Sequence, residues 1–69
     1  MKKTGQNIKR LRKEANISVR ELQEVLCFKH ATAIYNWERG VRIPSIDNLL
    51  ILAKVFDVTI DEIIKSSDL

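Results

Sequence analysis

Apolar residues recur at intervals of three and four along nearly the whole chain, and no segment alternates apolar and polar side chains as a half-buried strand would. This spacing predicts an all-α fold of five helices, over about residues 4–15, 18–26, 31–39, 46–56 and 60–65. Each helix would turn an apolar face to one shared core. The expected core positions are Ile8, Leu11, Ala15, Leu22, Val25, Leu26, Ile34, Trp37, Leu49, Leu50, Leu52, Ala53, Phe56, Ile60, Ile63 and Ile64.

Local signals mark where these helices begin and end. The hydroxyl residues that can cap a helix start are Thr4, Ser18, Ser45 and Thr59. A glutamate three residues after Ser18 and another three after Thr59 complete two capping boxes. Gly40 suits the left-handed position that ends the third helix, and Pro44 favours an extended residue before it. Residues 66–69 are expected to fray.

Composition and charge narrow the possible partners. The 69 residues suffice for one domain, 1–69, with its core over about 4–65. The single Cys27 fits a reducing compartment, and no apolar run approaches the ~20 residues that span a bilayer, so a cytoplasmic location is expected. Net charge is +3, with six basic and no acidic side chains in residues 1–13 but two basic and five acidic in residues 45–69. An acidic polymer would meet the first half, although a solvated basic tail explains the same charges.

The segment 18–39 is typical of two short helices joined by a tight turn at about 27–30. Such helices must cross steeply to share one core, and Ile34 and Trp37 would anchor the rear of the later one. The side chains left pointing sideways or outward are Ala31, Thr32, Tyr35 and Asn36. Asn36 could bind adenine through two hydrogen bonds, and Thr32 could touch a thymine methyl. Basic residues that flank this helix and suit phosphate are Lys29, Arg39 and Arg42. Ordinary surface residues of a five-helix bundle would give the same pattern.

Several short motifs follow one another along about residues 5–64. They are Asn7-Ile8-Lys9-Arg10-Leu11-Arg12, Ser18-x-x-Glu21-Leu22, Ile34-x-x-Trp37-Glu38-Arg39-Gly40, Pro44-Ser45-Ile46-Asp47-Asn48-Leu49 and Leu52-Ala53-x-x-Phe56-x-Val58-x-Ile60-Asp61-Glu62. Their order and spacing resemble the Cro/repressor-type helix-turn-helix family, also called XRE-like. The resemblance implies a compact five-helix, lambda-repressor-like domain that binds an operator in double-stranded DNA as a homodimer, with no cofactor.

The resemblance also implies which residues form the site. The base-reading positions fall on Ala31, Thr32, Ala33, Tyr35 and Asn36. The phosphate-contacting positions fall on Ser18, Val19, Arg39 and Arg42, and further basic side chains that would attract the DNA backbone are Lys9, Arg10, Lys29 and His30. Arg12 and Glu38 match a partly buried ion pair between the first and third helices.

This sequence departs from the family's usual pattern in three ways. Cys27 stands where the turn usually begins with glycine, the turn is one residue longer, and the reading face lacks the usual Arg or Gln. Base contacts are therefore expected to be few or water-mediated.

Other chemistry is not favoured. Cys27 and His30 form half of a possible zinc site, but zinc needs three or four ligands and the chain holds no other Cys or His. No metal is therefore expected. Cys27 is predicted to be a partly buried turn residue, and His30 to cap the third helix or lie near phosphate. No nucleophile, base and orienting group occur together, so no enzymatic activity is expected.

The function expected is sequence-specific transcriptional regulation by a repressor that reads the major groove with its third helix. The alternatives are an antitoxin-like or adaptor module that binds protein, and a nucleic-acid binder without sequence choice. An apolar strip could either serve a dimer contact or simply widen the core face; its members are Ile51, Val55, Ile64 and Leu69.

Overall fold

The computed structural model describes residues 2–65 and contains α1 (Lys2–Glu14), α2 (Val19–Val25), α3 (Thr32–Glu38), α4 (Ile46–Phe56) and α5 (Ile60–Ile64). These residues contain no strand, so the all-α prediction is confirmed. The bounds of α2 to α5 agree with the predicted helices to within one residue. The predicted fraying of 66–69, and the place of Leu69 in the apolar strip, lie outside the described residues.

The core lies where the helices meet, with α1 packed against α3 and α5, and α4 packed against α5. Its buried apolar side chains are Ile8, Leu11, Leu22, Leu26, Ile34, Trp37, Leu49, Leu52, Phe56 and Ile63. Phe28, from the turn between α2 and α3, meets Trp37 edge-on with ring centroids 5.8 Å apart. This contact closes the core beneath the turn.

The prediction of burial is wrong for four of the expected core residues. The expected core residues that the structure exposes are Ala15, Val25, Leu50 and Ile64. In α4 the buried stripe runs through Leu49, Leu52 and Phe56, at the i, i+3, i+7 spacing of one helix face. Leu50 is 48% exposed because it lies about 100° away from Leu49 around the helix.

Thr4 does not cap α1, contrary to the prediction. The helix already begins at Lys2, two residues earlier, because Lys2 and Lys3 are both good helix formers. Thr4 therefore lies inside the helix with its side chain 1% exposed. Its hydroxyl has no hydrogen-bond partner among the described residues.

The first four helices end in the same way. A residue one or two positions beyond the last helical residue takes a left-handed backbone, with φ of 58° at Asn16, 59° at Cys27, 77° at Gly40 and 55° at Asp57. The N–H of the following residue donates to the carbonyl five positions back, as from Val41 to Asn36 at 2.9 Å. This is the Schellman pattern; the sequence predicted a left-handed position at Gly40 only.

Gly5 sets the distance between α1 and the end of α3. A Cβ placed on Gly5 would overlap the carbonyl oxygen of Trp37 and lie 3.2 Å from the carbonyl carbon of Glu38. These are backbone atoms, so no side chain could move aside. Only glycine therefore allows the two helices to approach this closely.

Asn7 joins α1 to the end of α5. Its side chain is buried, and its Nδ2 donates to the carbonyls of Ile63 at 2.8 Å and of Lys65 at 2.9 Å. A helix end leaves such carbonyls without partners inside the helix. Asn7 thus supplies the cap for α5 from a distant part of the chain.

Candidate nucleic-acid interface

The start of α2 has the predicted capping box. The Ser18 hydroxyl accepts from the Glu21 N–H at 3.0 Å, and the Glu21 carboxylate accepts from the Ser18 N–H at 2.9 Å. That second bond lowers the pKa of Glu21, because it favours the ionised carboxylate. The Ser18 N–H and one acceptor site of its hydroxyl are therefore engaged within the chain, and the hydroxyl hydrogen can still donate. Val19, the next expected phosphate contact, is half-buried and packs against the core.

The rear of α3 is fixed in the core, as predicted. Ile34 is fully buried and Trp37 nearly so, three residues later on the same face. On the opposite side Thr32 is exposed and Tyr35 is 51% exposed. A helix held from behind in this way leaves its front exposed to solvent.

The five expected base-reading residues do not have equal access to solvent. Thr32, Tyr35 and Asn36 lie toward the outer side, with Asn36 half-buried. Ala31 is the N-cap of α3 and, beside Tyr35, lines an open depression between α2 and α3. Ala33 is half-buried and packs against the core, so its methyl group is turned away from the front.

Asn36 and Arg39 contact each other at the end of α3. Nη2 of Arg39 donates to Oδ1 of Asn36 at 2.7 Å. The backbone carbonyl of Asn36 also accepts, from the N–H groups of Val41 at 2.9 Å and Arg42 at 3.2 Å. Sequence reasoning assigned these two side chains to separate tasks and missed the bond. Their i, i+3 spacing on one helix was the signal that could have revealed it.

The expected phosphate-binding side chains are scattered around the domain. Those that are exposed near the turn and the end of α3 are Lys29, His30, Arg39 and Arg42. Arg10 instead bonds Asn7 at 3.4 Å and pairs with Glu14 at 3.5 Å, on the side of α1 that meets α5. Lys9 is exposed on α1. The first four are therefore exposed on either side of α3 in the chain, whereas Arg10 is engaged by Asn7 and Glu14 within α1.

The structure contradicts the expected burial of Cys27 and one of the two roles expected for His30. Cys27 is exposed rather than partly buried, and its backbone is left-handed. His30 does not cap α3: the N-cap is Ala31, with helical backbone angles and no side-chain capping bond. The turn thus begins with a non-glycine residue in a conformation that costs an L-amino acid about 1–2 kcal/mol.

Arg12 and Glu38 form an ion pair between α1 and α3. Nε of Arg12 donates to Oε2 of Glu38 at 2.7 Å, and Nη2 donates to Oε1 at 3.2 Å. The side chains are only 11% and 7% exposed. Arg12 also donates from Nη1 to the carbonyl of Ile17 at 3.0 Å, and its bond to Glu38 raises the pKa of its guanidinium. One side chain thereby ties α1, the α1–α2 connection and the end of α3 together.

Two further features of residues 2–65 bear on the site. No group of three or more His, Cys, Asp or Glu side chains within this range could hold a metal ion. No helix in the same range is both long enough and apolar enough to cross a membrane.

Known proteins resemble this chain in sequence. The model of a helix-turn-helix family matches residues 8–63. The HTH-type transcriptional activator BcrR of Enterococcus faecalis is 34% identical over 65 residues, which cover 94% of this chain and 31% of that protein. The chain therefore spans about a third of the length of this relative. Given the match over most of the chain and the five-helix fold, this protein belongs to the Cro/repressor-type, or XRE-like, helix-turn-helix family.

Proposed function

We propose that this protein is a DNA-binding transcription regulator that recognises a double-stranded operator by placing α3 in the major groove. The observation that carries this proposal is the two-sided character of α3. Its rear is buried at Ile34 and Trp37, and its front carries polar side chains next to exposed cations. A rigid helix with this polarity suits the major groove, whose base edges display both donors and acceptors.

The residues divide into base and phosphate contacts. We assign base contacts to Thr32, Tyr35 and Asn36, with Ala31 at the edge of the contact area. Ala33 has the least access and would contribute through packing. Phosphate attraction comes from Lys29 and His30 in the turn before α3 and from Arg42 after it, with Lys9 and Arg10 as further charges on α1. Val19 can offer only its backbone N–H. Ser18 can still donate its hydroxyl hydrogen, whereas its N–H must first leave Glu21.

We further propose that the regulator acts as a homodimer. Ile43 and Ile46 are 56% and 67% exposed, and they rim an apolar groove whose floor includes Leu49. The groove is also lined by Thr4, whose buried hydroxyl has no partner in the described residues. A second copy covering this face would bury the exposed Ile43 and Ile46 side chains. The strip expected from sequence contributes Ile64 to this groove, whereas Val55 packs against the core.

Two-fold symmetry would set the operator's form. Two copies of α3 would enter successive major grooves, with half-sites about one helical turn, ~34 Å, apart. Binding in a promoter would exclude polymerase, so we propose that the regulator is a repressor. We also propose that it acts in the cytoplasm. Activation is the competing sign of regulation, because the relative from Enterococcus faecalis is named an activator. A reporter behind the selected operator decides between them: expression falls with a repressor and rises with an activator.

A protein-binding adaptor or antitoxin-like module is the second candidate function. The apolar groove rimmed by Ile43 and Ile46 favours it, since such a surface also fits a protein partner. In that case binding would be stoichiometric and little affected by salt, whereas DNA binding weakens steeply as salt increases.

The deciding experiment is selection from randomised duplex DNA at near-physiological salt, followed by sequencing. An enriched palindrome with two short half-sites supports the dimeric regulator. No enrichment from the folded protein contradicts it and favours the adaptor. Asn36→Ala should then weaken binding to the selected site by about 1–3 kcal/mol and leave non-specific binding unchanged.

A matched pair of charge variants tests the phosphate assignment. Arg42→Ala should weaken binding to every sequence and lower the salt dependence by about one phosphate contact. Lys54→Ala removes the same charge from an exposed position on α4, outside the proposed interface, and should do neither. Equal effects from the two variants would contradict the proposed orientation.

A further inference from the structure

We infer that Asn36 and Arg39 form one reading unit, in which Arg39 positions the Asn36 carboxamide so that only its N–H donors face the base edge. This unit would select guanine rather than adenine. The inference rests on the proposed DNA-binding function and goes beyond it, because it assigns Arg39 a role other than phosphate contact.

The bond between the two side chains fixes the orientation of the amide. The guanidinium of Arg39 carries only donors, so the atom that it meets must be the carboxamide oxygen of Asn36 and not its nitrogen. The distance of 2.7 Å from Nη2 to Oδ1 is short, as in charge-assisted hydrogen bonds. Nδ2 is therefore left on the other side of the amide with both of its hydrogens unbonded among the described contacts.

Both residues stand on a fixed stretch of backbone. The Asn36 carbonyl accepts two N–H groups from the residues after Gly40, and Gly40 itself takes the left-handed angles that this ending requires. The Arg39 N–H donates to the carbonyls of Trp37 and Tyr35. Trp37 is buried, so the Asn36–Arg39 pair is connected to the core through the backbone of Trp37.

The direction of the donors predicts which base is preferred. Guanine presents two adjacent acceptors in the major groove, N7 and O6, and both can take hydrogens from Nδ2. Adenine presents N7 beside an amino group, which would need the Asn36 oxygen as its acceptor. That oxygen already faces a guanidinium, so the adenine amino hydrogens would approach a positive charge. Guanine should therefore bind about tenfold more tightly than adenine at this position, the lower part of the range for one specific base contact.

The competing interpretation is that Arg39 contacts phosphate. It is exposed, and a cation at this place could reach the DNA backbone. The two roles differ in what they do to sequence preference. A phosphate contact strengthens binding to all sequences alike, whereas a positioning residue changes the ratio of affinities between bases at one position.

The test uses the full chain and four duplexes that differ only at one base pair of the selected site. That base pair is the one at which Asn36→Ala loses its preference. Affinities are measured for the natural chain, Arg39→Ala, Asn36→Ala and the double variant, with Arg42→Ala as the matched loss of one nearby charge. Thermal melting shows that each variant is folded, which is expected because Arg39 and Arg42 are exposed.

Guanine should be preferred by the natural chain, and Arg39→Ala should reduce that preference at least fivefold or turn it toward adenine by freeing the oxygen. The double variant should discriminate no worse than Asn36→Ala alone, and Arg42→Ala should weaken all four duplexes by one common factor.

Two results would overturn the inference while leaving DNA recognition intact. One is a natural chain that prefers adenine at this position. The other is an Arg39→Ala variant that weakens all four duplexes equally, as Arg42→Ala does, with the base ratio unchanged. A natural chain that selects no duplex at all overturns the proposed function itself, and this is seen before any variant is made.

Discussion

Glu38→Gln tests how much the ion pair between α1 and α3 contributes to folding. Glutamine keeps the shape of the side chain and one acceptor for Nε of Arg12. Its amide nitrogen would face Nη2 of Arg12, and both groups are donors. In the natural chain this Nη2 donates to Oε1 of Glu38 at 3.2 Å. The variant thus removes one charge-assisted hydrogen bond and weakens the other. It also leaves the Arg12 cation, whose side chain is only 11% exposed, without a counter-ion.

The expected loss follows from these contacts. A hydrogen bond to a charged group contributes about 1.5–3 kcal/mol, and a buried charge left without its partner costs about 3–5 kcal/mol. Because the long Arg12 side chain can still swing partly toward water, we expect Glu38→Gln to lower the free energy of unfolding by about 3 kcal/mol. A domain of this size has about 3–10 kcal/mol in total, so the variant should lose a large part of its stability.

Urea unfolding followed by circular dichroism measures the effect, and a thermal scan should show the melting temperature lower by about 12–24 °C. Glu14→Gln is the matched control. It breaks the exposed pair with Arg10, whose side chains are 52% and 62% exposed. Such surface pairs contribute about 0–1 kcal/mol. A loss below 1 kcal/mol for Glu38→Gln would refute the reasoning, because the pair would then behave like a solvated one. Replacing both partners, Arg12→Met with Glu38→Leu, should cost less than Glu38→Gln alone, since no charge is left unpaired.

Three further predictions concern positions that are fixed by backbone geometry or capping. Gly5→Ala should lower the free energy of unfolding by about 1–3 kcal/mol, because its methyl would meet the Trp37 carbonyl; a rise, as helix propensity alone predicts, would contradict the close approach. Cys27→Gly should raise the free energy of unfolding by about 0.5–1 kcal/mol, seen as a higher urea midpoint. Glycine removes the strain of the left-handed backbone, but the unfolded glycine chain has more conformational entropy, which cancels part of the gain; no rise would argue against a left-handed residue there. The bond from the Ser18 N–H lowers the folded-state pKa of Glu21 below its usual 4.5, so its stabilisation is complete above that value and is lost as the pH falls through the folded pKa. The difference in melting temperature between the natural chain and Glu21→Gln should therefore stay constant above about pH 4.5 and shrink as the pH is lowered further, and a difference that stays constant at low pH would contradict it.

The sequence predicted those parts of the fold that depend on neighbouring residues. The hydroxyls of Ser18, Ser45 and Thr59 each accept from the backbone N–H three positions on, as their spacing indicated. A cap needs only one turn of chain, so its signal is local. The left-handed ends at Asn16 and Asp57 are just as local but were missed, because these residue types also occur commonly in ordinary turns.

The parts that the sequence did not predict depend on which helices touch. Nothing near Gly5 in the chain indicates that the carbonyl of Trp37 lies against it. Leu49, Leu50 and Leu52 are equally apolar, so the direction of the buried face of α4 depends on where α5 packs. The same holds in the candidate site, where the identity of Asn36 suggested base reading but only the structure joins its oxygen to Arg39.

The supports of α3 are separate from the side chains that we assign to base reading. The helix is held by the close approach at Gly5, by the Arg12–Glu38 pair and by the ending at Gly40. Exposed front residues such as Thr32 and Tyr35 take part in none of these contacts, and surface substitutions of that kind usually change stability by less than about 0.5 kcal/mol. The reading face can therefore be changed while the scaffold that positions it stays folded. A substitution such as Thr32→Ala should consequently change which duplex is bound without changing the melting temperature, and this separation of effects distinguishes a reading residue from a structural one.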